Sequence, residues 1–239
     1  MDTRSTNLFD EELYAAYASG ALPAPMRLLI DTQADLNTDV ARLRNDADAL
    51  SGLMLETVAP VEMKKTALDE VFAAIDAEEA ALGEAGTMAF QPDTEARDRA
   101  AVTAANAAGT ALQELLDLPE TVRDLALESA NWTFAGPGVR KMALMEEAGS
   151  KAELIRLEPG CGVPSHGHNC REYTLVLTGA YHDGHSRYGV GDLSIADPDT
   201  DHKPIAEPGA ICIALAVTDG PLAFKGALGW IQRAFGPQS

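Results

Sequence analysis

The stretch "GCGVPSHGHNCREYTLVLTG", residues 160–179, places two histidines and a glutamate within twenty positions. It follows the spacing G-x5-H-x-H-x3-E-x6-G, formed by Gly160, His166, His168, Glu172 and Gly179. Residues i and i+2 of a β-strand project from the same face, so the two histidines can point together into a barrel. We expect the glutamate to reach the same face after a turn. The stretch therefore predicts a cluster of metal-binding side chains on β structure.

A later segment, "GDLSIADPDTDH" at 191–202, adds His202 with ten residues between it and Gly191. Three imidazoles and one carboxylate suit a divalent transition metal such as zinc, iron, manganese or nickel. We expect His166, His168, Glu172 and His202 to bind one such ion, with an affinity that falls as the pH drops. The alternative is a metal-free barrel whose interior polar groups satisfy one another.

The sequence around these segments is typical of an all-β domain. From Trp132 onward, short apolar runs such as "VRKMALM", "AELIRLEP", "EYTLVLTG" and "ICIALAV" are separated by Gly, Pro and Asp. Several short strands with turn signals between them predict a β-sandwich or a β-barrel. Low helical content is expected here.

The remaining histidines and the cysteines also lie in this region. His182 and His185 flank an Asp-Gly pair, which predicts a hairpin turn with exposed histidines rather than a second metal site. Cys161 and Cys170 are either small structural residues or thiols that sense oxidants. Cys212 alternates with isoleucines on an apolar strand and is expected in the core.

The N-terminal region is predicted to form a small bundle of four helices. The second helix opens at a Pro-rich turn and places four residues at helical spacing: Met26, Leu29, Ile30 and Gln33. Asn37 is the expected cap of a third, longer helix. Thr66 begins a fourth helix, whose stripe is expected to face inward: Leu68, Val71, Phe72 and Ile75. We predict a helical domain at 1–84, a linker at 85–118 and a metal-binding barrel at 119–239.

Charge and composition exclude some classes of partner. The formal net charge is −19 over 239 residues, which argues against direct binding to nucleic acid. The first 90 residues carry 17 acidic and 6 basic residues, which can attract a basic protein, although solubility is the simpler explanation of the charge by itself. No apolar stretch is long enough for a membrane span, and three unevenly placed cysteines fit a reducing compartment. We expect a cytoplasmic protein.

The two metal-binding segments resemble the two cupin motifs, the first of them fully. The second keeps its leading Gly-Asp and its histidine, but "IADPDTDH" lacks the inner Pro and Gly at their usual places. A helical domain joined to a cupin resembles the ChrR-type anti-sigma factors. The resemblance covers nearly the whole chain and includes "LYAAYASGALP", "LMLETVAPV", "GVRKMALM", "PSHGHNCREYTLVLTGAYHD" and "GDLSIAD" with "DHKPIAE".

The resemblance implies a fold, a partner and a cofactor. The fold is a small N-terminal helical bundle followed by a C-terminal cupin β-barrel (a double-stranded β-helix, or jelly roll). In this family the helical domain sequesters an extracytoplasmic-function sigma factor away from RNA polymerase, and the cupin binds zinc and responds to oxidative signals. By resemblance, the cupin zinc ligands are His166, His168, Glu172 and His202, and zinc is the expected metal.

One departure from the family concerns a second zinc site in the helical domain. Gln33, Asn37 and Val40 stand where the family carries a histidine and two cysteines, and Asn7 or Leu8 stands at the upstream histidine. Amide and apolar side chains make a poor structural zinc site, so we expect no zinc there. Apolar packing can replace the folding energy that a zinc ion contributes.

Two functions remain open at this point. The first is an anti-sigma factor whose cupin senses an oxidative or small-molecule signal. The second is a cupin metalloenzyme, such as a dioxygenase or an isomerase, with a vestigial helical domain, because three histidines and a glutamate leave coordination positions open. No catalytic residue is assigned, and a homodimer formed through the cupin is left open.

Overall fold

The computed structural model describes residues 9, 11–82, 109–129, 131–168, 170–198, 201–218 and 222–223. Its helices are α1 (Glu11–Ala18), α2 (Ala24–Leu36), α3 (Thr38–Leu55), α4 (Ala67–Leu82), α5 (residues 109–116) and α6 (Glu120–Ser129). None of the helices described is long and apolar enough to cross a membrane.

Short strands follow the last helix. They are β1 (Thr133–Gly136), β2 (Val139–Glu147), β3 (Ser150–Leu157), β4 (Gly167–His168), β5 (Glu172–Thr178), β6 (Ala180–His182), β7 (Arg187–Gly189), β8 (Leu193–Ala196), β9 (Ile205–Ala206), β10 (Cys212–Thr218) and β11 (Leu222–Ala223). The predicted order of helices first and β structure second is confirmed.

The strands form a six-stranded antiparallel sheet and two smaller sheets. The large sheet has the order β1-β2-β3-β10-β5-β8, and the smaller ones are β7-β6-β9 and β11-β4. Strand β10 lies inside the large sheet between β3 and β5, and all seven of its residues are buried. A strand that is buried along its whole length has both of its faces covered.

The two faces of the large sheet are covered by different parts of the protein. Alternate residues of β5, Tyr173, Leu175 and Leu177, belong to the same buried core as the apolar residues of α1, α2 and α6. Val176 and Cys212 belong to a second core inside the barrel. Side chains alternate between the two faces of a strand. One face of the large sheet therefore lines the interior of the barrel, and the other face packs against the helices.

Helix α2 supplies most of the helical side of that core. Leu29 and Ile30 are completely buried, and the predicted positions Met26 and Gln33 are buried as well. The helix contacts β2, β3 and β10 as well as α6. The helical spacing of these residues was predicted correctly, but their packing partners include the barrel and not only other helices.

Local signals in the sequence explain where the helices begin and end. Gly20, with a φ of 72°, follows α1 in the left-handed conformation that glycine adopts without strain. The side-chain oxygen of Asn37 accepts hydrogen bonds from the backbone N–H groups of Asp39 at 3.0 Å and Val40 at 3.4 Å. These bonds satisfy amides that the first turn of α3 leaves unpaired, and they confirm the predicted cap.

The residues of the chain divide into two compact units, 1–51 with 111–239 and 52–110. The predicted boundaries at 1–84, 85–118 and 119–239 differ from this division and stay a prediction. Leu115 and Leu118, which those boundaries assign to the linker, are buried in the core of the first unit. Asn7 and Leu8 lie outside the described residues.

The second unit contains the end of α3 and α4, and here the predicted inward stripe is wrong. Leu68, Val71, Phe72 and Ile75 are exposed, with 64%, 55%, 56% and 46% of their surface accessible. Helical periodicity shows that a stripe is apolar, but it does not show what covers the stripe. No residue of α4 for which burial is described is buried.

Candidate metal centre

Two of the predicted ligands meet across a short antiparallel bridge between loops. The backbone N–H of His166 donates to the carbonyl oxygen of His202 at 3.3 Å, and the reverse bond is 3.2 Å long. Glu172 is the first residue of β5, where it pairs with Ala196 of β8 and Thr218 of β10. The sheet and the bridge thus bring together residues that are up to 36 positions apart.

The three side chains converge at one buried point. The Nε2 atoms of His166 and His202 are 3.3 Å apart, and His202 Nε2 lies 3.8 Å from Glu172 Oε1. One ligand atom from each residue lies within 4.8 Å of the others, and all three residues are buried. Such a group of histidines and a carboxylate is compatible with a bound metal ion.

Hydrogen bonds orient these side chains. His166 Nδ1 lies 2.9 Å from the carbonyl oxygen of Pro164, which can only accept, so Nδ1 carries the hydrogen. In the neutral ring the lone pair is then on Nε2 and faces the cluster. Thr174, two residues after Glu172 on the same strand, places its hydroxyl 3.3 Å from Glu172 Oε1. Thr174 was not identified from the sequence, although its i+2 spacing from Glu172 places both side chains on the same face of the strand.

Burial controls the charge of the cluster. It lowers the pKa of His166, and it lowers the pKa of His202 to about 4, with the neighbouring His166 adding to the effect. Both imidazoles are therefore neutral at physiological pH, as metal ligands must be. Burial also raises the pKa of Glu172 to about 7, because an isolated carboxylate is poorly solvated there. A nearby cation would favour its ionised form.

The separation of the two imidazoles fits a shared ion. Two nitrogen ligands at about 2.05 Å from one ion, with a tetrahedral angle between them, are about 3.3 Å apart. The observed Nε2–Nε2 distance is 3.3 Å. The residues present thus fit a divalent metal. The backbone of His168 lies in β4, but its side chain is outside the described part of the structure, so its role stays a prediction.

A cavity of about 430 Å³ opens beside the three ligands inside the barrel. Its walls come from the inner face of the large sheet, the β1–β2 turn and the loops that carry the histidines. The lining residues are mostly apolar: Ala135, Gly136, Pro137, Val139, Lys141, Ile155, Leu157, Gly162, Val163, Pro164, His166, Glu172, Thr174, Tyr181, His202, Pro204 and Ala214. Lys141 lies on β2, far from the ligands in the sequence, and no sequence pattern predicts that it lines this cavity.

Two further predictions for the barrel, the exposed turn histidines and the buried Cys212, are confirmed. His182 and His185 are exposed at the β6–β7 turn, where the Asp183 carboxylate accepts the backbone N–H groups of His185 and Ser186, both at 2.8 Å. Cys212 is completely buried, and burial raises the pKa of its thiol to about 12. Its role is therefore packing.

Cys161 and Cys170 are both partly exposed. A Cβ atom added at Gly138 would lie only 2.3 Å from the sulfur of Cys161. The turn between β1 and β2 therefore packs closely against this cysteine. This contact explains a glycine at that position, where φ is also positive at 67°. Whether either thiol senses oxidants stays a prediction.

Residues 123–223 match a family described as the ChrR cupin-like domain. The chain is 34% identical over 226 residues to the anti-sigma-E factor ChrR of Cereibacter sphaeroides, covering 94% of this chain and 95% of that protein. It is also similar to a chain in the crystal structure of Rhodobacter sphaeroides SigE in complex with the anti-sigma ChrR. That match has a TM-score of 0.62 and 30% identity, and it covers 88% of this chain and 97% of the other.

The chain is also similar, at a much lower level, to a solved enzyme structure. An acetylacetone dioxygenase from Acinetobacter johnsonii matches with a TM-score of 0.38 and 16% identity, over 42% of this chain and 75% of the other. A match at this level shows no shared function.

Proposed function

Because the chain belongs to the family of ChrR-type anti-sigma factors, we propose that it binds a sigma factor of the SigE kind and withholds it from RNA polymerase. The predicted combination of a helical region and a cupin barrel is confirmed. The relatives that show the family are regulators, so a cupin metalloenzyme is the less supported alternative. A sigma-factor partner would place the protein in the cytoplasm.

The observation that carries this proposal is an exposed apolar segment, residues 53–75. Ten large apolar side chains in it are between 46% and 88% exposed: Leu53, Met54, Leu55, Val58, Val61, Met63, Leu68, Val71, Phe72 and Ile75. Monomeric soluble proteins seldom expose so many apolar side chains in one segment. Complete burial of one such side chain contributes about 1.5–3 kcal/mol, so a partner that covers several of them is strongly favoured.

Charge supports the same partner. Residues 52–82 carry seven acidic and two basic side chains. A sigma factor contacts DNA phosphates and therefore presents a basic surface, which an acidic segment attracts. Apolar contacts would supply the affinity, and the charges would direct the approach.

The metal centre is the second part of the proposal. His166, His168, Glu172 and His202 would hold one divalent ion, which we take to be zinc, because histidine and carboxylate ligands suit it. The convergence of three buried ligands supports this assignment. The ion would neutralise Glu172 and draw the ligand loops together, so its loss would change the packing of the barrel.

The sigma-factor proposal is tested with a matched pair of substitutions. Phe72→Asp places a charge in the apolar segment, and Phe134→Asp places the same charge at an exposed phenylalanine of β1. We expect Phe72→Asp to abolish co-purification with a SigE-type sigma factor and to release sigma-dependent transcription in a reconstituted assay. Phe134→Asp should bind like the unchanged protein. Equal binding by both variants, or no binding by the unchanged protein at low salt, contradicts the proposal.

A further inference from the structure

The cavity beside the candidate metal centre is large enough for a small organic molecule. Its 430 Å³ equals the volume of about 14 water molecules in the liquid, which corresponds to a ligand of about ten to fourteen non-hydrogen atoms. Ala135, Pro137 and Pro164 line the cavity and are exposed, so they form its mouth. The cavity has the size and the access that ligand sites have.

The walls of the cavity select an apolar body. Val139 and Leu157, from β2 and β3, are buried in the inner core together with Tyr181 of β6. Val163 packs against that core from the loop before His166. Water in contact with such walls is released when a hydrocarbon replaces it, at about 25 cal/mol for each Å² of apolar surface removed from water.

The polar end of the cavity carries Lys141 and the candidate metal ligands. Lys141 of β2 lines it, and its ammonium group lies 3.4 Å from the carboxylate of Glu153 on β3. This ion pair offsets the lysine charge and holds the group in place, and the ammonium has further N–H donors for a ligand. A divalent ion held there by neutral imidazoles and Glu172 would keep one positive charge that its ligands do not cancel. Positive charge next to apolar walls is costly unless an anion compensates it.

We propose that the barrel binds a medium-chain organic monocarboxylate. Its carboxylate lies at the end formed by Lys141, Thr174 and the metal centre, and its hydrocarbon body lies against Val139, Leu157 and Val163. This inference rests on the proposed function, in which the bound acid is the small molecule that the cupin domain detects. A carboxylate matches the charge, and a chain in the range of octanoate to dodecanoate matches the volume.

Calorimetric titration of the zinc-loaded full chain tests the proposal. We expect octanoate to bind and 1-octanol, which has the same body without the charge, to bind at least about tenfold more weakly. Lys141→Met should weaken octanoate binding by a similar factor and leave octanol binding unchanged. Lys151→Met makes the same change at an exposed lysine that pairs with Glu146 outside the cavity, so it should bind octanoate normally.

A further variant checks the location of the site. Val163→Trp adds bulk to the apolar wall of the cavity and should abolish the binding of both octanoate and octanol. The proposal is overturned if octanoate and decanoate do not bind the folded, zinc-loaded protein, if octanol binds equally well, or if Lys141→Met has no effect. Co-purification with the sigma factor is measured on the same samples. Intact co-purification without carboxylate binding refutes this proposal alone, and carboxylate binding without co-purification refutes only the proposed function.

Discussion

Glu172 and Tyr173 are neighbours on β5 and face opposite sides of the large sheet. Glu172 lies in the candidate metal centre, whereas the ring of Tyr173 lies 5.9 Å from the ring of Phe9 in the core shared with the helices. The candidate metal centre and the core shared with the helices therefore lie on opposite faces of the same strand.

The contact between Tyr173 and Phe9 is expected to hold the N-terminal helix in place. Tyr173→Leu keeps an apolar side chain but removes the aromatic pair, at a cost of about 0.5–1.5 kcal/mol. We expect faster amide hydrogen exchange in α1, while the metal content stays unchanged. Exchange in α1 equal to that of the unchanged protein shows that the ring contact does not stabilise the helix.

Metal content should depend on the buried histidines and not on the exposed ones. His202→Ala removes one imidazole from the cluster, and we expect elemental analysis of the purified protein to show most of the metal lost. His185→Ala, at the exposed β6–β7 turn, is the matched control and should retain it. Retention of the full metal content by His202→Ala refutes the assignment of the site.

Metal affinity should fall as the pH is lowered, because Glu172 must release a proton before it can bind the metal. Burial raises the pKa of Glu172 to about 7 in the metal-free protein, so below pH 7 the metal displaces a proton from the carboxyl group. The dissociation constant of the metal should then rise by up to about tenfold for each unit by which the pH falls below 7. His202, whose pKa burial lowers to about 4, competes for protons only in more acidic solution. Competition with a chelator between pH 5.5 and pH 8 measures this slope.

Glu172→Gln provides the control for the pH experiment, since an amide has no proton to release. We expect weaker binding at pH 8 and a nearly flat profile down to pH 5.5. A slope equal to that of the unchanged protein shows that another group controls the pH dependence.

The interior of the shared core should dominate the stability of the first unit. Leu29 of α2 is completely buried, and Leu29→Ala should lower the free energy of unfolding by about 2–5 kcal/mol. Leu53→Ala removes the same atoms from a side chain that is 62% exposed and should change it by less than about 0.5 kcal/mol. Denaturant titration measures both. Equal effects contradict the described packing of α2.

Features that depend on neighbours in the chain could be predicted. The cap formed by Asn37 needs only amides two and three residues ahead, and Gly20 acts through its own backbone. The i, i+2 spacing of His166 and His168 is likewise local, and Glu172 follows them after a turn, at the start of the next strand. His202 was placed through its resemblance to a motif, and the structure brings it next to His166.

Features that depend on contacts between distant parts of the chain could not be predicted from the sequence. The sequence predicts an apolar stripe on α4, and the structure has one, but the prediction that it faces inward is wrong. Periodicity carries no information about what packs against a helix face. Lys141 reaches the cavity only because β2 pairs with β3 in one particular register.

The amino-acid order thus specifies the helices, the strands, the ligand types and the acidity of the N-terminal region, since these follow from backbone sterics and side-chain chemistry over a few residues. The pairing of the sheet adds what no local pattern contains. It buries β5 on both faces, places Glu172 inside the barrel and Tyr173 against Phe9, and gathers an apolar cavity around one lysine. Such contacts arise from the free energy of burying surfaces that are far apart in the chain, so they exist only in the folded protein.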